Sequence, residues 1–496
     1  MRITLISVDE PIYANGIRSI SSYLKENGHS TRLIFLPYGS IHGIKPRMYP
    51  IRVMNELVAM VKDSELIGIS SMTLASERAI QVIGHLRSLN TPMVWGGIHP
   101  TTCPEQCIEH VDAVCIGEGE RAMLELADVL EKGEKNDIKN LWFKREGKII
   151  KNDVRPYIED LDRLPFADYD FSDQYVLDNG KILRMHERFL NGWFLIHTSR
   201  GCPYMCTYCC NRFVRNLYRK VGETKHLRIR SIKTIIDELA QAKQKFRSLK
   251  AVWFTDDEFF TRSFQELETF CNAYKSEIDL PFQCYVNPNT LSEAKLNLFI
   301  KAGLRKIEMG IQSGSEYVNF RIYKRFTNNE TIVEAARILN KCESQIEPPN
   351  YQFIIANPYE KESDVLRTIE LVSELPQPYN LETFGLALFP GVELFEMARK
   401  DGVIRTKEEA CYDVDYFAFP EHLKRKKTNI YLNALLFWMQ GQVTATRLGT
   451  IPRSILPILL SKRVISLSYR VPYVVLFTNR VMVTIRYVLR YLKSWR

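Results

Sequence analysis

The chain has 496 residues, 45% of them hydrophobic, with 24 Gly and 22 Pro, so it holds material for about two to four packed domains and is not a disordered chain. It carries 67 Lys plus Arg against 58 Asp plus Glu, but 14 of the basic residues and none of the acidic ones fall in His422–Arg496. The preceding 421 residues therefore hold 53 basic against 58 acidic, a net of −5, which excludes a uniformly basic nucleic-acid binder.

Met1 leads directly into the strand-like Arg2-Ile3-Thr4-Leu5-Ile6-Ser7-Val8, without the apolar run and cleavage site of a secretory leader. Eleven cysteines in such a chain predict a reducing cytoplasm and thiols that are free or metal-bound. Residues 1–135 alternate strands (Ile3 to Val8, Thr31 to Leu36, Leu66 to Ser70, Met93 to Trp95, Ala113 to Ile116) with helices near Ile17 to Glu26, Ser76 to Leu89 and Glu120 to Glu131. That alternation predicts a doubly wound, Rossmann-like α/β domain with ligands at the strands' carboxyl ends. Those ends are small and polar: Ser70-Ser71-Met72-Thr73, Trp95-Gly96-Gly97-Ile98-His99-Pro100 and Gly117-Glu118-Gly119-Glu120. A hairpin over Leu141 to Val154 and a Pro- and Asp-containing linker over Leu161 to Phe171 fill residues 136–190.

Residues 191–420 run through six strand-helix units, with strands at Phe194 to Thr198, Ala251 to Thr255, Phe282 to Val286, Lys306 to Ile311, Gln352 to Ile355 and Thr383 to Leu388. Six such units predict a partial parallel (β/α)6 barrel. After its first strand stand Cys202, Cys206 and Cys209 in a C-x3-C-x2-C array, expected about 0.005 times by chance at this composition. Three thiolates on one loop can hold three irons of a cubane cluster and leave the fourth open. A zinc site completed by a distant residue, or thiols that only pack, remain alternatives on spacing alone.

This array, with the aromatic Tyr208 before its last cysteine, resembles the radical S-adenosylmethionine (radical SAM) enzymes. The resemblance implies that Cys202, Cys206 and Cys209 ligate a [4Fe-4S] cluster whose free iron chelates S-adenosylmethionine, which one electron cleaves to a 5′-deoxyadenosyl radical. Asp256 and Asp257, after the second barrel strand, match the family's acidic residues near the methionine ammonium. The segment Lys306 to Ser315 is similar to the family's G-I-E-S-G-S stretch, which implies cofactor contacts for Glu308, Gln312 and Ser313, with Gln312 where many members have Glu. The resemblance also implies a flavodoxin or ferredoxin as reductase.

Residues 1–135 resemble the cobalamin-binding domain of B12-dependent members, which implies a nucleotide-tail pocket lined by Ser70, Ser71, Thr73, Gly96, Gly97, His99, Gly117 and Glu118. The D-x-H-x-x-G segment of other cobalamin domains is replaced by Asp9-Glu10-Pro11-Ile12-Tyr13-Ala14-Asn15-Gly16, so no histidine from this loop reaches cobalt. The alternative is a domain that only buttresses the barrel. A second cluster of the methylthiotransferase type is not expected, because Cys103, Cys107 and Cys115 lie near one strand end.

Residues 421–496 form a basic helical tail. Thr428 to Thr446 are uncharged and predict an amphipathic or docked helix, while Val481, Ile485, Val488, Leu492 and Trp495 recur at helical spacing beside Arg486, Arg490 and Lys493. The tail predicts peripheral contact with an anionic membrane on its inner face and, with it, a small, lipid-like substrate. The resemblance implies C-methylation; the alternatives are radical cyclisation or rearrangement, or a non-catalytic sensor. No nucleic-acid partner is expected.

Overall fold

The computed structural model describes residues 1–9, 12–37, 48–132, 137–405, 429–475 and 477–478. The Lys424 to Lys427 cluster and the helical pattern from Val481 to Trp495 lie outside the described residues.

The first sheet has nine strands: β1 (Arg2–Ser7), β2 (Ser30–Phe35), β3 (Leu66–Ser70), β4 (Met93–Gly96), β5 (Ala113–Cys115), β6 (Leu141–Arg145), β7 (Lys148–Lys151), β8 (Gln174–Asp178) and β9 (Lys181–Arg184). Their order is β7-β6-β5-β4-β3-β1-β2-β8-β9. Strands β1 to β5 pair in parallel, and helices cover both faces, which is why these strands carry apolar residues on both sides. One helix, Ile51–Val61, fills the stretch before β3 that the sequence pattern left unassigned. Residues 136–190 do more than connect: their hairpins β6–β7 and β8–β9 cap the sheet's two edges, placing antiparallel pairs where exposed parallel edges would stand.

The second sheet begins with β10 (Trp193–Ile196), followed in the chain by a short antiparallel ribbon of β11 (Ser199–Arg200) and β12 (Arg228–Ile229). It continues with β13 (Ala251–Phe254), β14 (Phe282–Val286), β15 (Leu304–Gln312), β16 (Asn350–Ile355) and β17 (Tyr379–Gly385), all parallel, giving the expected six-stranded partial barrel. The last barrel strand starts four residues before its predicted start, because Tyr379 and Leu381 face the helix layer and supply its apolar alternation.

Three antiparallel strands, β18 (Gly441–Val443), β19 (Arg447–Leu448) and β20 (Ile451–Pro452), extend the barrel sheet beyond β17. Helix Ile430–Trp438 before them is docked: Ile430 to Phe437 are all buried. Its polar residues serve the barrel, with Asn433 Oδ1 accepting from the Ala356 N–H at 2.7 Å and Asn429 Nδ2 donating to the Glu360 carbonyl at 2.9 Å.

One apolar core runs through both units, from Ile3, Leu33 and Leu126 to Phe194, Phe254 and Leu339. Buried Arg18 ties the linker to the first sheet: its guanidinium lies 4.1 Å from the Tyr169 ring and donates to the Asp168 carbonyl at 2.6 Å and to Gln174 Oε1 at 2.9 Å. These bonds, with a third from Nη2 to the Ile12 carbonyl at 3.0 Å, offset the cost of burying its charge.

Candidate active site

The cysteine loop is held at both ends and in the middle. At its root the buried Asp256 carboxylate accepts from the Thr198 N–H at 3.0 Å, from Thr198 Oγ1 at 2.9 Å and from the Ser199 hydroxyl. In the middle, the Thr207 N–H donates to the Tyr323 carbonyl at 3.0 Å and Thr207 Oγ1 to the Ile322 carbonyl at 2.6 Å. At the far end Cys209 opens helix Cys210–Arg219. Cys202 lies within electrostatic reach of Cys206 and Cys209. Among the described residues no three His, Cys, Asp or Glu side chains are grouped closely enough to hold a metal ion as they stand; three thiols on one loop are the donor set of a cubane with one open iron.

Buried Arg325 lies against this loop. Its guanidinium reaches Cys206 Sγ at 4.0 Å and the Tyr208 hydroxyl at 3.4 Å, and donates to the Gly310 carbonyl at 2.7 Å. It places positive charge beside thiolate sulfur, as a ligand set for an anionic cluster requires. A Cβ on Gly310 would sit 2.6 Å from the Gln312 amide and 3.3 Å from Arg325, so a side chain there would displace the ends of both. Arg325 is 119 residues from Cys206, and no local pattern announces it.

The two aspartates separate. Asp256 is spent on Thr198 and Ser199, a contact different from the one the resemblance implied. Asp257 is exposed, accepts a hydrogen bond from Asn211 and lies within electrostatic reach of Cys202. Of the two it is the solvent-facing carboxylate.

Gln312 ends β15 at a register shift, with φ 74°, and its amide lies beside Gly310. Ser313 is turned inward: its hydroxyl accepts from the Ser315 N–H at 3.1 Å and its carbonyl from Asn319 Nδ2 at 2.8 Å. Glu308 lies deeper in the barrel, accepting from Gln352 Nε2 at 2.9 Å, and burial raises its pKa with the nearby Glu382 charge adding to the rise. Ser313 and Glu308 are thus engaged by the protein itself, because the strand's alternation and turn direct them there. Neighbouring Glu258 is pushed up to about 7 by burial.

A cavity of about 460 Å³ opens between the two sheets. Ser70, Gly96, Gly97, Gly117 and Glu118 line it from one side, and His197 and Arg200 from the other. Gly97 has φ 104°, and a Cβ there would meet the Ser71 carbonyl at 2.7 Å. Three residues predicted for this pocket lie behind it. Ser71 accepts from the buried Trp95 Nε1 at 2.9 Å, the His99 ring packs 5.6 Å from Trp95, and Thr73 starts a 3-10 turn whose carbonyl accepts from Ser76. Their side chains follow the inward face of the turns after β3 and β4.

Glu118 faces the cavity but is ion-paired across it, with Arg200 at 3.1 Å and Arg228 at 2.8 Å, while Glu120 meets Arg200 at 2.5 Å. Burial alone would raise the Glu120 pKa; the Arg200 guanidinium overrides it and holds the carboxyl below its usual range. The Glu118 N–H donates to the Tyr218 hydroxyl at 2.9 Å. The G-E-G-E turn therefore binds the root of the cysteine loop as well as lining the pocket. Sequence reasoning missed Arg200 in this role, although it stands two residues before Cys202. It also missed His197, whose Nδ1 lies 2.5 Å from Asn15 Nδ2 and 3.1 Å from Thr255 Oγ1, with its pKa lowered by burial. Asn15 belongs to the loop that lacks the cobalt-type histidine; Glu10 and Pro11 of that loop lie outside the described residues.

Two family models match the chain: the radical SAM superfamily over residues 196–372 and the B12 binding domain over residues 1–127. The chain is 27% identical over 352 residues to the uncharacterized methyltransferase PH0819 of Pyrococcus horikoshii, covering 69% of this chain and 71% of that one. It is 24% identical over 402 residues to the anaerobic magnesium-protoporphyrin IX monomethyl ester cyclase of Rubrivivax gelatinosus, covering 76% and 64%. Its fold matches that of the radical S-adenosylmethionine methyltransferase TsrM from Kitasatospora setae, solved with cobalamin and a [4Fe-4S] cluster bound, at a TM-score of 0.62 and 16% identity over 82% of this chain and 79% of that one. The glycine-lined cavity fits a cobalamin tail and the three-cysteine loop fits the cluster. The chain is thus a radical SAM enzyme carrying a B12-binding domain, with a [4Fe-4S] cluster, S-adenosylmethionine and cobalamin as its cofactors.

Proposed function

We propose that the enzyme methylates an unactivated carbon of a small, hydrophobic or pathway-intermediate substrate. The observation that carries this is the single cavity walled by the B12-binding strand ends on one side and by His197 and Arg200, at the root of the cysteine loop, on the other. Two cofactors that act on one substrate must be held this close. Bound there, the cluster supplies the electron that generates a 5′-deoxyadenosyl radical, and cobalamin supplies the methyl group. The chain's own residues bind and orient. Cys202, Cys206 and Cys209 would hold the cluster; Arg325 balances thiolate charge, with Tyr208 packed against it; Asp257 would meet the methionine ammonium; the glycines at 96, 97 and 117 let a nucleotide tail lie against backbone.

A second reading, radical cyclisation without methyl transfer, has the similarity to the Rubrivivax cyclase in its favour. Product mass separates the two. Anaerobic protein given dithionite, S-adenosylmethionine and candidate substrates is expected to form 5′-deoxyadenosine and a product heavier by one methylene unit; an unmethylated, ring-closed product would favour the cyclase. A flavodoxin or ferredoxin is the proposed electron donor.

Peripheral attachment to an anionic membrane on its inner face belongs to the same proposal, supported by the 14 basic and absent acidic residues of His422–Arg496. Among the described residues no helix is long and apolar enough to cross a membrane.

A further inference from the structure

Seven of the seventeen exposed large hydrophobic side chains of the described residues fall between Ile455 and Phe477. That density in one short stretch marks an interaction surface and not scattered exposure. Helix Lys462–Arg470 organises it. Its inner face is anchored: Ile465 and Ser468 are buried, and the Tyr469 hydroxyl donates to Glu362 on the barrel. Opposite stand Arg463, Leu467 and Arg470, and beyond the helix Val471 and Val474, at i, i+4, i+7, i+8 and i+11. Leu467 and Val474 are each 59% exposed, with Ile458 at 63% and Phe477 at 69% alongside.

Charge decides what covers this face. Lys462, Arg463 and Arg470 have no ion-pair partner among the described residues, and no Asp or Glu stands anywhere from His422 to Arg496. A second copy packed face to face would bring the same cations against them. The chain's own last residues carry Arg480, Arg486, Arg490, Lys493 and Arg496 and would do likewise. Apolar side chains rimmed by cations, on a helix lying flat against its domain, match the headgroup region of an anionic bilayer: the chains enter the acyl boundary and the arginines meet phosphate.

The geometry points to the outer face of helix Lys462–Arg470, continued by Val471, Val474 and Phe477, as the surface that seats the enzyme on anionic phospholipid. This rests on the membrane attachment proposed above and names the residues that make it.

The test is sedimentation of the full chain with phosphatidylcholine vesicles, with and without phosphatidylglycerol. The wild type is expected to pellet with the anionic vesicles, to be released by high salt and to ignore the zwitterionic ones. Each neutralised cation is expected to weaken partitioning about fivefold, so Arg463→Gln with Arg470→Gln weakens it about 25-fold, and Leu467→Ser with Val474→Ser about tenfold or more. Cluster absorbance unchanged from wild type shows that the variants are folded. Equal binding of wild type and variants overturns the assignment to this face while leaving attachment through residues 479–496 standing. Absence of wild-type binding, or equal binding to both vesicle types, overturns the membrane attachment itself, and a concentration-dependent dimer lost in the Leu467→Ser, Val474→Ser variant would assign the face to a second copy.

Discussion

Asp256 and Asp257 are adjacent in the chain and do different work. Asp256 →Asn removes one acceptor from a buried group that serves three donors, so a loss of about 2 to 3 kcal/mol and a lower iron content after reconstitution are expected. Asp257→Asn is expected to leave iron content unchanged and to weaken S-adenosylmethionine binding about tenfold, read by equilibrium dialysis. Loss of iron in both variants would mean that the two side chains share one structural task. Glu258 adds a pH signature. Its folded pKa of about 7 stands above its ordinary 4.5, so the folded chain binds the extra proton between those values and loses stability as pH rises through them. Glu258→Gln is expected to flatten that fall, worth about 3 kcal/mol, in melting temperatures taken between pH 4.5 and 7. Sequence alone marked Asp256 and Asp257 together because both follow a strand end; which one is spent on the backbone depends on where Thr198 lies, and Thr198 is 58 residues away. Arg325 was illegible for the same reason.

At the scale of elements the strands were the most legible part, since a buried parallel strand is a short apolar run bounded by turn residues. Helix Ile51–Val61 was missed, and β18 was hidden at the end of the uncharged segment Thr428 to Thr446 that suggested one helix; Gly441, at positive φ, breaks it. The turns after β3 and β4 show where periodicity stops helping. Their hydroxyl and imidazole groups suit a ligand chemically, yet Ser71 and His99 pack on Trp95, while the bare backbone of Gly97 faces the cavity. Gly97→Ala is expected to cost about 2 kcal/mol or more and to reduce cobalamin retained on gel filtration, because φ and the Ser71 carbonyl both oppose a side chain. Gly84→Ala is the contrast: it lies within helix Ser76–Leu86 with nothing within 4 Å of the added methyl, and a gain of roughly 0.5 to 1 kcal/mol is expected in the same melting assay.

For the whole molecule, the division of charge seen in the sequence corresponds to a division of structure. The body carries its buried ion pairs internally, and those of Arg200 with Glu118 and Glu120 join the B12-binding unit to the barrel. The sign of their pH dependence follows from Glu120, whose pKa is depressed. The contribution is complete above the ordinary glutamate value of 4.5 and is lost as pH falls through the lower folded value. Arg200→Ala strands Glu120 as a buried, unpaired carboxylate, so a loss of about 3 kcal/mol or more is expected at neutral pH, with cobalamin affinity falling while iron binding by the isolated loop chemistry persists. Both would be read on one preparation, by calorimetry and by cobalamin titration.

The cavity between the two sheets has a consequence for the life history of the enzyme. Its walls are the strand ends of the first unit, the barrel's first strand and the linker residues Leu161, Leu164 and Pro165, so a guest inside is enclosed by covalently connected chain on three sides. The remaining side is open, so a nucleotide tail can slide in with the walls already in place. Protein made in cells starved of the vitamin is then expected to take up cobalamin when it is added to the folded chain and to retain it on gel filtration; supply of the vitamin, and not the moment of folding, determines how much of the enzyme is competent.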